Sequence, residues 1–429
     1  MSDQIVKRKG HNPKVAMVLS ILFAGLGQLY NRRILKGIVF LIIQAAFLIT
    51  FYNFINIGLW GIVTLGEIPK IDHSIFLLIQ GLVSIIIVAF ALALYFFNIV
   101  DARRDAIKLQ EGAKIPTVTE AFKNAWDVGF PYILVMPGLV LLIFIVVLPL
   151  LFMVSLAFTD YNLYNSPPRN LLNWVGFDNF VNLVSVDIWQ STFFSVFSWT
   201  IVWTVVATTG QIVLGLFLAL LVNDSRIKFK RFIRTFLILP WAVPAFVTIL
   251  VFAAMFNDKF GAINKDILSQ IGVMIPWMTD PFWAKIALIS IQTWLGFPFV
   301  FALFTGVLQS ISKDWYEAAD VDGGTRFQKF RHITLPHVLY ATAPLLIMQY
   351  AGNFNNFNII YLFNDGGPAV RGQNAGGTDI LISWVYDLTF TTNNYNMAAA
   401  ISIIIGLLVS GFAFYQFRRT RSFKEEGNI

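Results

Sequence analysis

Cysteine is absent from all 429 residues, which removes disulfides, thiolate catalysis and cysteine-ligated metals from consideration. Charge is scarce too: 13% of residues are charged against 57% hydrophobic, with a mean hydropathy of +0.69, a balance that excludes a soluble globular domain. The four histidines, His11, His73, His332 and His337, all lie outside the depths of the apolar runs. No phosphate loop, H-E-x-x-H or G-x-S-x-G motif occurs, so an energy source must come from another chain. Low-complexity segments and usable internal repeats are also lacking. The net charge of +7 is a topology signal and not a nucleic-acid signal, because the basic residues flank apolar runs in short loops.

What is abundant is apolar sequence of membrane-crossing length. Lys7, Arg8, Lys9 and Lys14 precede a first run without a convincing small-residue cleavage site, which reads as a retained cytoplasmic tail. Val15 to Tyr30 is shorter than the roughly 20 residues a span needs, and it predicts an interfacial or re-entrant segment. Ile38 to Ile57 and Ser74 to Val100 predict a crossing hairpin. Six further spans are expected at Tyr132 to Phe158, Phe193 to Val222, Phe236 to Phe256, Ala284 to Leu308, Val338 to Phe363 and Met397 to Phe417, giving about eight in an all-α polytopic protein. The basic clusters Arg103 to Lys123, Arg226 to Arg234 and Arg418 to Lys424 fall on one side, so both termini are expected to be cytoplasmic. Between the six later spans the opposite loops hold only Arg169, Lys259, Lys265 and Arg371. Those outer loops, Tyr161 to Trp189 and Asn364 to Tyr395, are rich in Asn, Gly, Pro, Trp and Tyr, as a partner-binding surface or an interfacial aromatic belt would be.

The six later spans carry almost no ionisable residue, which argues against a proton- or sodium-driven carrier. Neutral polar groups take their place: Gln211, Gln292, Thr293, Gln349, Asn353, Asn355, Asn356 and Asn358. Amides in lipid must meet one another or a watery cavity. Both readings stand at this point, and the second describes a site for a neutral, hydroxyl-rich ligand such as a sugar. Trp199 and Trp203, one turn apart, and Trp294, Phe297 and Phe299 beside Gln292 offer flat apolar faces, for packing or for a sugar ring. Pro240, Pro244, Pro298 and Pro344 are expected to break the helical ladder within spans.

Between two apolar runs lies DWYEAADVDGGTRFQKFRHITLP, Asp314 to Pro336, on the side with the basic loops. Asp314 with Glu317, and Thr325 with Gln328, have capping-box spacing and predict two short helices. Gly323 or Gly324 supplies the left-handed turn between them, and Pro336 is expected to stop the second. Trp315, Ala318 and Ala319 share one face and Phe327 and Phe330 another, both in need of a surface to pack on.

At this spacing Glu317-Ala318-Ala319, Asp322-Gly323, Ile333 and Leu335-Pro336 resemble the EAA loop of permease subunits of binding-protein-dependent ABC importers. Over roughly Pro131 to Arg421 the segments LPWAVP, QTWLGFPF, NFNNF and NDGGP resemble the maltose and maltodextrin branch, the larger of the two permease subunits. The resemblance implies a type I ABC importer permease fold in a bacterial cell membrane. It divides the chain into a tail and re-entrant segment (1–36), an N-terminal hairpin with its basic loop (37–128), a core permease domain (129–421) with the coupling loop at 312–336, and a tail (422–429). It implies a second permease subunit, a pair of ATPases, an extracellular sugar-binding protein and an oligosaccharide cargo, and no nucleic acid. ATP and magnesium would sit on the ATPases, so this chain binds no cofactor and is not itself an enzyme. Glu317, Ala318, Ala319, Asp322, Gly323 and Pro336 would dock on the ATPase. Asn353, Asn356, Gln292, Leu295, Gly296 and Phe299, with Trp199 as an aromatic candidate, would face the sugar. Gln292 and Phe299 depart from the best-known members of the family. Asp160 to Gln190 is too short for the folded outer domain that some members carry, which suggests a single-membrane cell with a lipid-anchored binding protein. Galacto-oligosaccharide is the alternative cargo; glycerol phosphate is disfavoured by the lack of basic residues near the amides. A membrane scaffold or sensor that borrows the fold is the reading from another class.

Overall fold

The computed structural model describes residues 12–112, 118–224 and 226–419. The expected basic residues Lys7, Arg8, Lys9, Lys114, Arg421 and Lys424, as well as His11 and the tail 422–429, lie outside them. The described elements are helices, joined by loops with two isolated β-bridges, Thr159 with Trp174 and Ala369 with Gly376. They form two compact units, one ending at Val175 and the other beginning at Gly176.

The first unit opens with α1 (Pro13–Leu22), where Asn12 Oδ1 accepts the Lys14 N–H at 2.9 Å and Pro13 occupies the first turn, whose N–H would be an orphan anyway. Gly25, at φ +92°, reverses the chain into α2 (Leu26–Tyr30); a Cβ there would lie 2.2 Å from the Gly37 carbonyl oxygen. The run Val15 to Tyr30 is therefore two short helices folded back, neither of spanning length. They lie against α3 (Ile34–Thr64) and α4 (Ser74–Gln110). Buried amides tie them down: Gln28 Nε2 donates to Asn98 O at 3.0 Å and Asp101 Oδ2 at 3.1 Å, and Asn31 Nδ2 donates to Ala102 O at 2.8 Å. Arg33 and Lys36 close the same end on Asp101 and Asp105.

The α3–α4 hairpin is packed through small residues, which let apolar backbones approach where lipid offers no hydrophobic drive. A Cβ on Gly81 would meet Ile62 Cβ at 2.5 Å and Gly58 O at 2.8 Å. In contrast α5 (Val118–Leu142) continues through a π turn at Ile143–Val147 into α6 (Leu148–Leu156) as an apolar rod with only 6% of its span window buried.

The second unit contains α7 (Asp178–Ser185), α8 (Asp187–Asn223), α9 (Lys230–Ile238), α10 (Ala245–Met255), α11 (Pro281–Ser310), α12 (Lys313–Val321), α13 (Arg326–Lys329), α14 (Leu335–Phe354), α15 (Phe357–Asn364), α16 (Leu381–Phe390) and α17 (Tyr395–Arg419). The interval 160–190 thus holds one short helix and the first turn of α8. Among the described residues six helices are long and apolar enough to cross a membrane, or seven if α9 through α10, bent by 87°, is one span. The bend falls at Pro240 to Pro244, as the LPWAVP prolines predict, whereas Pro298 and Pro344 sit inside the unbroken α11 and α14. The seventh expected span, Val338 to Phe363, is split at Asn355 and Asn356 into α14 and α15. Asn, a poor helix former, falls at both positions of the break, where apolar sequence alone would continue the helix.

Two further expectations are corrected. Asp314 and Glu317 form no capping box: Ser312 is the N-cap, its Oγ accepting the Asp314 N–H at 3.2 Å. The helix starts earlier than the spacing suggested, which leaves Glu317 past the turn a cap can reach. Pro336 does not stop a helix either; it lies in the first turn of α14, directly after the π turn Phe330–Thr334. That widened turn accommodates the carbonyl clash a proline imposes on the turn before it.

Gly81→Val is expected to cost about 1–3 kcal/mol through overpacking and to lower the thermal midpoint in detergent. Gly129→Ala, where a Cβ meets nothing within 4 Å, serves as the control and is expected to leave the midpoint unchanged or slightly raised.

Candidate functional site

Three helices of the second unit carry polar side chains at one level. On α8, Trp199, Trp203 and Ala207 belong to one apolar cluster and Ala219 and Val222 to another; on α11, Ile291 belongs to the first and Phe297 to Phe304 to the second. Between the clusters lie Thr208 and Gln211 of α8, Gln292 of α11, and Gln349 and Asn353 of α14. Asn353, 2% exposed, is at the centre. Its Nδ2 donates to Thr208 Oγ1 at 2.8 Å and Gln211 Oε1 at 3.3 Å, its Oδ1 accepts from Gln292 Nε2 at 2.7 Å, and its backbone oxygen accepts from Trp203 Nε1 at 2.9 Å. Gln211 Nε2 donates to the Gln292 carbonyl at 2.8 Å, and Gln349 Nε2 donates to Gln211 Oε1 at 2.9 Å. Space for Gln211 exists because residue 296 is glycine: a Cβ there would fall 2.2 Å from the Gln211 side chain.

The structure thus joins Gln292, Gly296 and Asn353 in one buried layer in which the amides satisfy one another. It sets the other expected sugar contacts apart. Asn356 lies at the α14–α15 break, half-buried, its N–H donating to Asn353 O at 3.3 Å, while Asn355 and Asn358 are exposed. Leu295 packs against the first cluster, and Phe299 lies 6.0 Å from the Trp241 ring. Trp199 donates through Nε1 to the Thr378 carbonyl at 3.0 Å and lies under Lys285 Nζ, 4.7 Å from the ring centroid. Sequence reasoning missed Thr208, one helical turn before Gln211, and Lys285, the cation in the second turn of α11.

The Trp199 bond reaches the segment 364–380, which is held by its own polar groups. Thr378 N–H donates to Gly366 O at 2.9 Å, Thr378 Oγ1 to Gly367 O at 2.8 Å, and Gly376 N–H to Asp379 Oδ2 at 2.7 Å. Asp379, Asp365 and Asp387 line a cavity of about 210 Å³ with Tyr361, Tyr386 and Phe390. Burial pushes the Asp379 carboxyl up to about 6, against the lowering effect of hydrogen bonds from Ser383 and the Gly376 N–H, and the charges of Asp387 and Asp365 add to the rise.

At the other end of the unit, α12 and α13 fold into the expected helix pair. Gly323 takes the left-handed turn at φ +75°, and Thr325 and Gln328 form a full capping box. Tyr316 Oη meets Thr334 Oγ1 at 2.9 Å, Lys329 Nζ reaches Asp320 at 2.5 Å, and the Trp315 ring meets His337 edge-on at 5.5 Å. Glu317, Ala318, Asp322, Val321 and Phe327 remain exposed, with Ala319 half-buried. The pair thus leaves an open apolar face beside the Glu317 carboxylate, which has no ion-pair partner among the described residues.

A multi-span helical subunit with a broken span, an uncharged polar layer between packed helices and such a protruding helix pair defines a membrane permease of the importer class. Residues 211–422 match the family described as binding-protein-dependent transport system inner membrane component, and the chain belongs to that family. It is 53% identical over 415 residues to the galactooligosaccharides transport system permease protein GanP of Bacillus subtilis (strain 168), covering 96% of this chain and 99% of that one. It is 45% identical over 420 residues to the maltodextrin transport system permease protein MdxF of the same organism, covering 96% of each. A crystal structure of a bacterial ABC transporter that imports the acidic polysaccharide alginate aligns with a TM-score of 0.58 at 22% identity, covering 70% of this chain and 98% of that one. That likeness bears on the fold, which is the type I ABC importer permease fold.

Asn353→Leu leaves Thr208, Gln211 and Gln292 short of partners and is expected to destabilise the protein by on the order of 2 kcal/mol, read as a lowered thermal midpoint. Asp379 provides a pH test. Its folded value, about 6, exceeds the ordinary 3.8, so the folded segment holds the proton more tightly than the unfolded chain. Stability is fully present below the lower value and is lost as pH rises through the upper one, by on the order of 3 kcal/mol. Amide exchange in 364–380, corrected for intrinsic rates, is expected to be slower near about pH 4 to 5 than near about pH 7, and Asp379→Asn is expected to abolish the difference.

Proposed function

We propose that the chain is a permease subunit of an ATP-driven importer for neutral oligosaccharides of the maltodextrin type, with galacto-oligosaccharide, favoured by the 53% identical relative, as the second cargo. The observation that carries the reading is the amide layer: donors and acceptors without charge, between apolar clusters, at the level where α8, α11 and α14 meet. Neutral hydroxyls can exchange for such amide bonds one for one, while an ion would need countercharge that the layer does not offer. Transport proceeds by alternating access, with the layer closed in one state and opened to the sugar in another.

On the positive-inside reading of the basic loops, the Asp314 to Pro336 unit and both termini face the cytoplasm of a bacterial cell. A separate ATPase pair, holding ATP and magnesium, docks there around Glu317, Ala318, Ala319, Asp322 and Gly323. A second permease subunit completes the cavity. An extracellular sugar-binding protein delivers the cargo, lipid-anchored in keeping with the short interval 160–190. Because Ser312 caps α12, Glu317 is free for the ATPase, so an effect of its replacement reports on coupling and not on helix starting.

Co-purification with its partners and ATPase assays across malto- and galacto-oligosaccharides, each with the binding protein, tests the cargo; stimulation by neither series overturns it. Glu317→Lys is expected to cut uptake by roughly tenfold or more with the thermal midpoint unchanged, and Glu317→Gln to fall between it and the parent. Asn356→Ala is expected to alter sugar preference more than maximal rate. Normal uptake with the same preference would remove Asn356 from the sugar path.

A further inference from the structure

We propose that α9 is an interfacial helix that binds the headgroups of anionic phospholipids in the leaflet on its side of the membrane, which is the cytoplasmic leaflet on the orientation adopted under the proposed function. Three observations converge. First, the segment containing α9 meets α10 at 87°, so if the apolar α10 runs through the bilayer, α9 lies along its surface. Second, α9 has one broad apolar face with two parts. Ile233 and Leu237 dock on the second apolar cluster of the unit, whereas Phe232 and Phe236 are 73% and 66% exposed, as is the N-cap Phe229 just before the helix at 84%. Third, Lys230, Arg231 and Arg234 lie on the opposite face, with Lys228 just before the helix, and none has a carboxylate partner among the described residues. Among the described residues Lys230 Nζ donates only to the Asn223 carbonyl, at 3.0 Å. The nearby Arg226 is different, being paired with Asp224 at 2.7 Å.

Rings that enter the acyl boundary, with uncompensated cations on the opposite face of the same helix at headgroup level, complement a negatively charged lipid surface. A protein groove could cover the rings, but the charge pattern would then need a matching acidic rim. The lipid leaflet supplies both properties together. Because α9 leads into the bent span next to α11, the headgroup contact would hold the break at LPWAVP at a fixed depth.

The chain's freedom from cysteine allows a direct test. Thr235→Cys, exposed on α9, is labelled with an environment-sensitive fluorophore and the full chain is placed in phosphatidylcholine vesicles containing phosphatidylglycerol. Quenching by spin-labelled phosphatidylglycerol is expected to exceed quenching by spin-labelled phosphatidylcholine. The preference is expected to fall by up to roughly fivefold in Arg231→Gln and to vanish when Lys228, Lys230, Arg231 and Arg234 are all glutamine. Equal quenching by the two lipids overturns the proposal, as does quenching by neither, which would mean that protein covers the rings. A preference that survives the four substitutions also overturns it. The measurement needs no sugar or ATP, so a failure of the transport reading leaves its result intact. Labelling of Thr235→Cys in intact cells by an impermeant thiol reagent would instead overturn the leaflet and the orientation behind it.

Discussion

The second unit depends on one constraint: amide groups placed among apolar helices must find partners, and here each finds them on a different helix. Asn353 alone engages α8 through Thr208, Gln211 and Trp203 and α11 through Gln292. Leu and Phe packing would hold these helices together in many registers, since lipid competes on equal terms with any apolar contact. A hydrogen-bonded layer accepts one register. Gly296 and its clearance for Gln211 follow from that register and would have no purpose in another.

The same constraint makes the arrangement two-faced for function. Each bond in the layer is worth little net, on the order of 0.6 kcal/mol in membranes, so exchange for hydroxyl groups costs little. Leaving the layer open and dry would be far more costly. On the proposed function, opening has to coincide with entry of water or cargo, and a partner gripping α12–α13 would drive it. Lys329 ties the two helices of that pair together, and Tyr316 and Trp315 join it to Thr334 and to His337 of α14, so force applied there would be passed on to α14.

Much of this was legible in the sequence where local chemistry decides the outcome. Thr325 with Gln328, Gly323 and the LPWAVP break behave as their residue types predict. Local rules failed where two candidates competed for one role. Ser312 outcompeted Asp314 as the cap, and Pro336 opened a helix because a π turn before it removed the clash. The amides of NFNNF were visible, but not which of them would turn inward: Asn353 is buried among partners on distant helices, while Asn356, three residues on, falls beyond the helix end. Thr208 and Lys285 escaped notice because a threonine in an apolar helix and a lone lysine near a helix start are ordinary on their own. Their meaning comes from Asn353 and Trp199, both far away in the chain.

The α5–α6 rod stands at the opposite extreme. With nearly all of its apolar window bare and only the α6 end against α4 among the described residues, length and oiliness are the main demands on it. Valine, leucine, isoleucine and phenylalanine become near synonyms there, as they cannot be around Gly296.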